Sequence, residues 1–287
     1  MPARGGRISP RSTCGSMPNT PRSDVLVVKI GGSVGVASRP GAPAPADDAA
    51  IDALVGLADG GHGLVVVHGG GPLIDRWAER LGLTTTFVRG LRVTDEGTRD
   101  LALAVLGGLA NGRVVAALLA RGVPAVGLTG IDGGILRAER ESEDLGLVGR
   151  VTLVDSSLLE ELLERGRVPI VAPAALARDD GTILNVNGDA AAGAIAASIG
   201  ARLLVFVTDV PGVRAKNGRV IERLDADRAR ELVDDGTIEG GMLPKVEACL
   251  MAAAAGCRAA IMATAGVDAI ERLLGGEQVG TVFEAAA

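Results

Sequence analysis

The chain contains no tyrosine, one tryptophan and three phenylalanines in 287 residues. Proteins that hold single-stranded nucleic acid stack its bases on aromatic rings, so this class is excluded. A net charge of −6 also provides no basic field for a polyanion or an acidic membrane surface. Cysteine is limited to Cys14, Cys249 and Cys257. Their spacing matches no metal-ligand pattern, and an odd count argues against a disulfide framework, which fits a reduced, cytoplasmic setting. No apolar run approaches the roughly 20 uninterrupted residues of a membrane span. Histidine is limited to His62 and His68, and lysine to Lys29, Lys216 and Lys245 among 29 cationic side chains.

What is present is globular: 47% of residues are hydrophobic, ample for a well-buried core. The first 24 residues stand apart. MPARGGRISPRSTCGSMPNTPRS carries four arginines and no acid, as organelle transit peptides do, but its Pro and Gly content opposes the amphipathic helix they need. Residues 1–24 are therefore expected to be a disordered extension, with Met17 an alternative start.

From Asp24 onward, short Val/Ile/Leu runs alternate with longer helical patterns, the signature of a mainly parallel sheet covered by helices on both faces. VLVVKI, GLVVVH, PAVGLTG, GRVTLV, VPIVAP, RLLVFVTD and RAAIMA are the expected strands. After VVVHGGG, Pro72 suits a first helical position. Ile74, Trp77, Ala78 and Leu81 then share a face, and Gly82 ends the helix. Ser157 and Glu160 read as a capping box for LLEELLERG. VGVASRPGAPAPADDAA reads as an irregular loop, and AKNGR as a hairpin turn through Asn217 and Gly218. There is no internal repeat. The polar ARDDGT stretch marks a lobe boundary within residues 174–182.

VVKIGGS and VVVHGGGP each place glycines directly after a strand. In α/β sheets ligands gather at the carboxyl ends of strands, where helix N-termini offer N–H groups and a positive dipole end. Neither turn is a G-x-x-x-x-G-K-[ST] loop or a G-x-G-x-x-G fingerprint. GGSVG does match the G-x-S-x-G elbow of α/β-hydrolases, but that mechanism needs a histidine after the acidic partner. His62 and His68 have no such context, and His68 reads as a packing residue.

A lysine retained against such a bias toward arginine suits a phosphoryl oxygen, which a compact ammonium meets as a point charge. Lys29 lies two residues before a glycine pair, whereas Lys216 sits in an exposed turn. Lys245 falls in the first turn of a helix, where a cation opposes the dipole and calls for a compensating anion. NVNGDAAAGAIAASIGA adds Asp189 at the mouth of an Ala-rich helix, with Asn185 and Asn187 alternating along an extended segment. Two lysines, two glycine turns, one carboxylate and two amides suit phosphoryl transfer, which asks for positioning and charge stabilisation.

VVKIGGS, VVVHGGGP, RGLRVTDE, DLGLVGRV, VPIVAP, NVNGDAAAGAIA, VFVTDVPGV and GGMLPKVEACL occur in that order. From Val25 to Phe283 the chain thereby resembles the N-acetylglutamate kinases of the amino acid kinase family. The resemblance implies a three-layer αβα sandwich with a mainly parallel central sheet, with residues 25–287 as one kinase domain. Its acid-substrate lobe would be about 25–176 and its nucleotide lobe about 177–287. It implies transfer of the ATP γ-phosphate to the side-chain carboxylate of N-acetyl-L-glutamate, a step of arginine biosynthesis, with Mg²⁺ carried by the ATP phosphates and no protein metal ligands. Lys29 and Lys245 would neutralise the migrating group and Asp189 would hold both lysines. Amides at Gly31, Gly32, Gly69 and Gly70 would meet phosphate oxygens, because a Cβ there would hold the backbone away. Arg92, Asn185 and Asn187 would bind the acid, and Thr208, Asp209, Val210 and Gly212 the nucleotide. A homodimer acting on a small molecule is implied. Gly188 stands where these kinases commonly have Ala, and kinases for carrier-linked aminoadipate or glutamate often have Gly there, which makes such a kinase the alternative. A non-catalytic amino-acid or nucleotide sensor is a third, which the presence of Lys29, Asp189 and Lys245 opposes.

Overall fold

A computed structural model describes residues 24–31, 45–263 and 266–284. In chain order the strands are β1 (Val25–Ile30), β2 (Gly63–His68), β3 (Phe87–Val88), β4 (Leu91–Arg92), β5 (Ala125–Thr129), β6 (Leu136–Arg140), β7 (Val148–Val154), β8 (Val168–Ala172), β9 (Ala174–Ala177), β10 (Ile183–Val186), β11 (Leu203–Thr208), β12 (Arg223–Leu224), β13 (Arg258–Ala263) and β14 (Thr281–Phe283). The α-helices are α1 (Pro45–Asp59), α2 (Gly71–Leu81), α3 (Glu96–Leu103), α4 (Asn111–Leu119), α5 (Ser157–Glu164), α6 (Gly188–Ile199), α7 (Ala226–Asp234), α8 (Leu243–Ala254) and α9 (Gly266–Leu274).

Eight strands form the central sheet in the order β12-β14-β13-β11-β1-β2-β8-β5, parallel except for the β13–β14 pair. Every residue of β1 and β2 is buried. Helices on both faces therefore explain why these strands read as unbroken Val/Ile/Leu runs instead of alternating with polar residues. One face, through Val27, Val65, Leu204 and Phe206, packs on α6 and α8. The other, through Leu26, Val28, Leu64 and Val205, packs on α1, α4 and α9. A smaller closed sheet, β10-β7-β6-β9, extends the first of these layers. The result is an α/β, three-layer αβα sandwich.

The expected strands all form. Several local expectations need correction. Leu81 is 60% exposed, and the buried face of α2 is Leu73, Ile74 and Ala78. Gly82 does end α2, in the left-handed region that glycine enters without strain. Ser157 does not form a capping box. Asp155 Oδ1 accepts from the Ser157 N–H and hydroxyl, and Ser156, one residue earlier, donates to Glu160. The stretch from Val34 to Ala50 is not all loop, since α1 begins at Pro45; its earlier part lies outside the described residues. AKNGR does turn the chain, with Arg214 bridged to Val220. ARDDGT is the turn of the antiparallel β9–β10 hairpin.

Residues Glu96–Leu119 run as one continuous helical stretch, long and apolar enough by length and composition to cross a bilayer, a feature the count of uninterrupted apolar residues missed. Its middle, Ala104–Ala110, is a π-helix, and its buried side packs against α2 and Ala172.

Candidate active site

Alternation along β1 decides where Lys29 points. Side chains of a strand face opposite sides in turn, so Val25, Val27 and Lys29 share the face covered by α6 and α8. The lysine emerges at the carboxyl end of its strand beneath the starts of those two helices. Only 10% of its side chain is exposed, and its Nζ lies 2.6 Å from Asp189 Oδ1.

Asp189 is the second residue of α6, held there by Asn187. The Asn187 Oδ1 accepts from the N–H groups of Asp189 and Ala190 at 2.8 and 3.2 Å. This is an N-cap, so the Asn187 oxygen is committed to its own helix. Lys245, two residues into α8, meets the other carboxylate oxygen, Nζ to Oδ2 at 2.7 Å, and donates to the Gly241 carbonyl at 3.1 Å. The anion demanded by a lysine at a helix start is Asp189.

One carboxylate thus holds two ammonium groups that come from opposite ends of the chain. Burial would raise the Asp189 pKa, but Lys29 and Lys245 together hold it below the usual carboxylate range. Burial is the largest influence on Lys29 and lowers its pKa; Asp189 opposes this, and Lys245 adds to the lowering by repulsion. Two cations and one anion leave one net positive charge in a nearly dry setting, which suits an anion that develops or migrates there.

The glycine turn after β2 is built on His68. Its side chain lies on the α1/α4 face, 1% exposed. Burial lowers its pKa, so the ring is neutral at neutral pH. Nδ1 lies 2.9 Å from the Gly69 carbonyl, which can only accept, so the proton is on Nδ1. Nε2 lies 3.2 Å from Asn111 Nδ2, whose two protons are shared among this nitrogen and the Ile170 and Leu128 carbonyls. A trans peptide sets its carbonyl and N–H on opposite sides. Pinning the Gly69 oxygen on His68 therefore turns the Gly70 N–H away from the imidazole.

The glycines of this turn differ in what their N–H groups meet. The Gly69 N–H donates to the Ile30 carbonyl at 3.2 Å, so it is not open to a phosphate. No described residue accepts from Gly70 or Gly71, whose N–H groups open α2 beside the β1 turn. An added Cβ at Gly70 would lie 2.5 Å from Leu106 Cδ2, so the end of that side chain would have to move. Gly31 follows directly on β1; Gly32, and Ser33 of the G-x-S-x-G match, lie outside the described residues.

Arg92 is 6% exposed at its side chain, with Nη1 on Asp75 Oδ1 at 2.7 Å and Nη2 reaching the Gly71 carbonyl at 3.4 Å. Its guanidinium also lies over the Phe87 ring, 4.6 Å from the centroid. The first turn of α2 and the guanidinium therefore form one cluster. Two residues on, Thr94 is fully buried and donates its hydroxyl proton to the Arg92 carbonyl. Having given its only proton, it must accept from Asn185 Nδ2, at 3.1 Å. This fixes which end of the Asn185 amide faces away from Thr94: the oxygen.

Thr208 ends β11, the neighbour of β1, and Asp209, Val210 and Gly212 follow it, so these residues lie along the same edge as Lys29. Thr208 donates to Asp209. Gly212 has a packing cause: a Cβ there would sit 2.6 Å from Thr281 Oγ1, which accepts from the Val213 N–H. Lys216 is exposed and paired with Asp235. A Cβ at Gly188 would meet its neighbours at 3.5–3.7 Å, ordinary contact, so alanine fits there.

Sequence reasoning missed Gly71, Asp75, Thr94 and Asn111. Gly71 and Thr94 stand inside quoted motifs and were within reach; Asp75 and Asn111 were not, because their partners are 17 and 43 residues away in sequence.

The profile of the Amino acid kinase family matches residues 24–263. An acetylglutamate kinase of Methanopyrus kandleri is 45% identical over 246 residues, covering 82% of this chain and 93% of that protein. One of Dehalococcoides mccartyi is 40% identical over 243 residues, covering 83% and 86%. Among solved structures, smu.665 from Streptococcus mutans superposes with a TM-score of 0.75 at 28% identity, covering 92% of this chain and 99% of that one. With the order of its strands, the lysine pair on one buried acid and these likenesses in agreement, the chain belongs to the amino acid kinase family.

Proposed function

We propose that this protein transfers the γ-phosphoryl group of ATP to the side-chain carboxylate of N-acetyl-L-glutamate, giving N-acetyl-L-glutamyl 5-phosphate, the acetylglutamate kinase step of arginine biosynthesis. The observation that carries this is Asp189 shared at 2.6 and 2.7 Å by Lys29 and Lys245. It is supported by relatives of that name at 40–45% identity over most of their length.

The acceptor is already ionised at neutral pH, since an unperturbed Glu side chain titrates near about 4.3. One carboxylate oxygen attacks the γ-phosphorus, the bond to the β-bridging oxygen breaks, and ADP departs with that electron pair. No proton has to be removed, so the reaction needs no general base, and a neutral, fully committed His68 is no obstacle. Lys29 and Lys245 would face the transferring group, their positions fixed by Asp189. The N–H groups of Gly31, Gly70 and Gly71 would meet phosphoryl oxygens. Arg92 would take the α-carboxylate and Asn185 the acetamido group, with its oxygen accepting the substrate N–H. Residues 25–176, joined by Asn185, would supply the acid site, and the remainder of 177–287, including Thr208, Asp209, Val210 and Gly212, the nucleotide site.

Mg²⁺ bound to the ATP phosphates would offset part of their negative charge. Among the described residues no group of three or more His, Cys, Asp or Glu is placed to hold a metal. Asp189 is committed to the lysines, so the donor set fits an ion that arrives on the nucleotide.

Two measurements test this. Turnover of ATP should be detected with N-acetyl-L-glutamate, with the acyl phosphate trapped as a hydroxamate, and be far weaker with L-glutamate, L-2-aminoadipate or a carrier-linked acid. Turnover only with the carrier-linked acid would replace the substrate assigned here, and ligand binding without any turnover would mark a sensor. Arg92→Ala should raise KM for N-acetylglutamate by about 10² while KM for ATP stays put, since a charge-assisted contact to the acid alone is lost. A defect confined to ATP would reassign the residue.

A further inference from the structure

Arg92 already has a carboxylate partner inside the protein. Asp75 Oδ1 contacts Nη1 at 2.7 Å and accepts from the Thr85 hydroxyl at 3.3 Å. The two partners differ in setting: the guanidinium is 6% exposed and the Asp75 side chain 45%. The contact uses one oxygen and one nitrogen, although a guanidinium offers five N–H groups in a fork suited to carboxylates. Apart from the long contact to Gly71, the described bonds leave the rest of the fork uncommitted.

We infer that Asp75 sets the affinity for the acid substrate: its charge holds Arg92 beside the start of α2 and at the same time weakens the site for a second carboxylate on the same guanidinium. This rests on the function proposed above, in which Arg92 takes the α-carboxylate. Two anions on one cation repel each other, and a half-exposed position screens the repulsion without abolishing it. A fork this buried needs a counter-charge when the acid is absent, because an unpaired buried cation is strongly destabilising. Asp75 supplies that counter-charge at the cost of weaker acid binding, as a resident stand-in would.

Asp75→Asn separates charge from anchoring. The amide oxygen can still accept from Arg92 and Thr85, so the geometry is retained while the charge is lost. KM for N-acetylglutamate should fall about tenfold, with kcat and KM for ATP little changed, and the ratio to wild type should shrink at high salt. Calorimetric Kd values for N-acetylglutamate without ATP should fall in parallel. The substrate-free variant should melt earlier than wild type, and N-acetylglutamate should raise its Tm by more. An unchanged or raised KM and Kd would make Asp75 a mechanical anchor and overturn the inference, while leaving the kinase assignment standing if wild type turns over. Wild type that binds N-acetylglutamate without turnover overturns the kinase assignment alone, and the Kd ratio still decides the role of Asp75. Failure of both proteins to bind overturns both.

Discussion

Asp189→Asn should reduce kcat by about 10³, equivalent to about 4 kcal/mol of transition-state stabilisation. The amide keeps the size and the position on α6 but loses the charge that binds both ammonium groups. Lys29 is then a buried cation with only Lys245 nearby, and the two repel. Loss of one partner from a buried ion pair typically costs about 3–5 kcal/mol, so Tm should also fall by several degrees. The pH dependence distinguishes this from simple misfolding. Asp189 is the influence that raises the Lys29 pKa against burial and Lys245. Without it the pKa falls further, and the charged fraction of Lys29 declines at a lower pH than in wild type. The residual kcat should therefore drop on the alkaline side before that of wild type does. In wild type the Asp189 contribution to stability is full above its unfolded pKa of about 3.9 and is lost as pH falls through the depressed folded value. An Asp189→Asn enzyme with wild-type kcat and an unmoved alkaline limb would falsify the shared-carboxylate mechanism.

Lys245→Arg should lower kcat by about 10² or more, roughly 3 kcal/mol, with the fold intact. The charge is conserved, so any change in turnover reports shape. The Lys245 ammonium sits between Asp189 Oδ2 and the Gly241 carbonyl at 2.7 and 3.1 Å, with 18% of the side chain exposed. A bulkier, planar guanidinium on a stem one methylene shorter cannot bring one nitrogen to that point without displacing either the acid or the loop before α8. Near-normal kcat, with Tm preserved, would remove Lys245 from the chemistry and leave it as a helix-start ion pair. Rescue of Lys245→Ala by added alkylamine would not follow in that case.

Much of the fold was legible along the chain. Buried parallel strands must be apolar on both sides, so VLVVKI, GLVVVH and RLLVFVTD announce themselves without knowledge of their neighbours. The lysines stood out because so few positions use lysine. The local errors have a common origin, since they concern which of several adjacent groups takes a given bond. Ser156 and Ser157 are equivalent in composition and differ only in where the backbone turns. The exposure of Leu81 is of the same kind: it matches the periodicity of α2, but that helix ends before the residue reaches a partner.

Local chemistry, set by residue order alone, thus determined the layered α/β architecture, the scarcity that singled out Lys29 and Lys245, and the kind of reaction a pair of point charges can serve. Only the tertiary structure decided that these two lysines share Asp189, that Arg92 lies over Phe87 and against Asp75, and that His68 pins the Gly69 carbonyl. The physical reason is one of range. Strand and helix patterns arise from neighbours a few residues apart, whereas Lys29 and Lys245 meet only because β1 lies beneath the starts of α6 and α8, a meeting fixed by how the whole sheet buries its two faces.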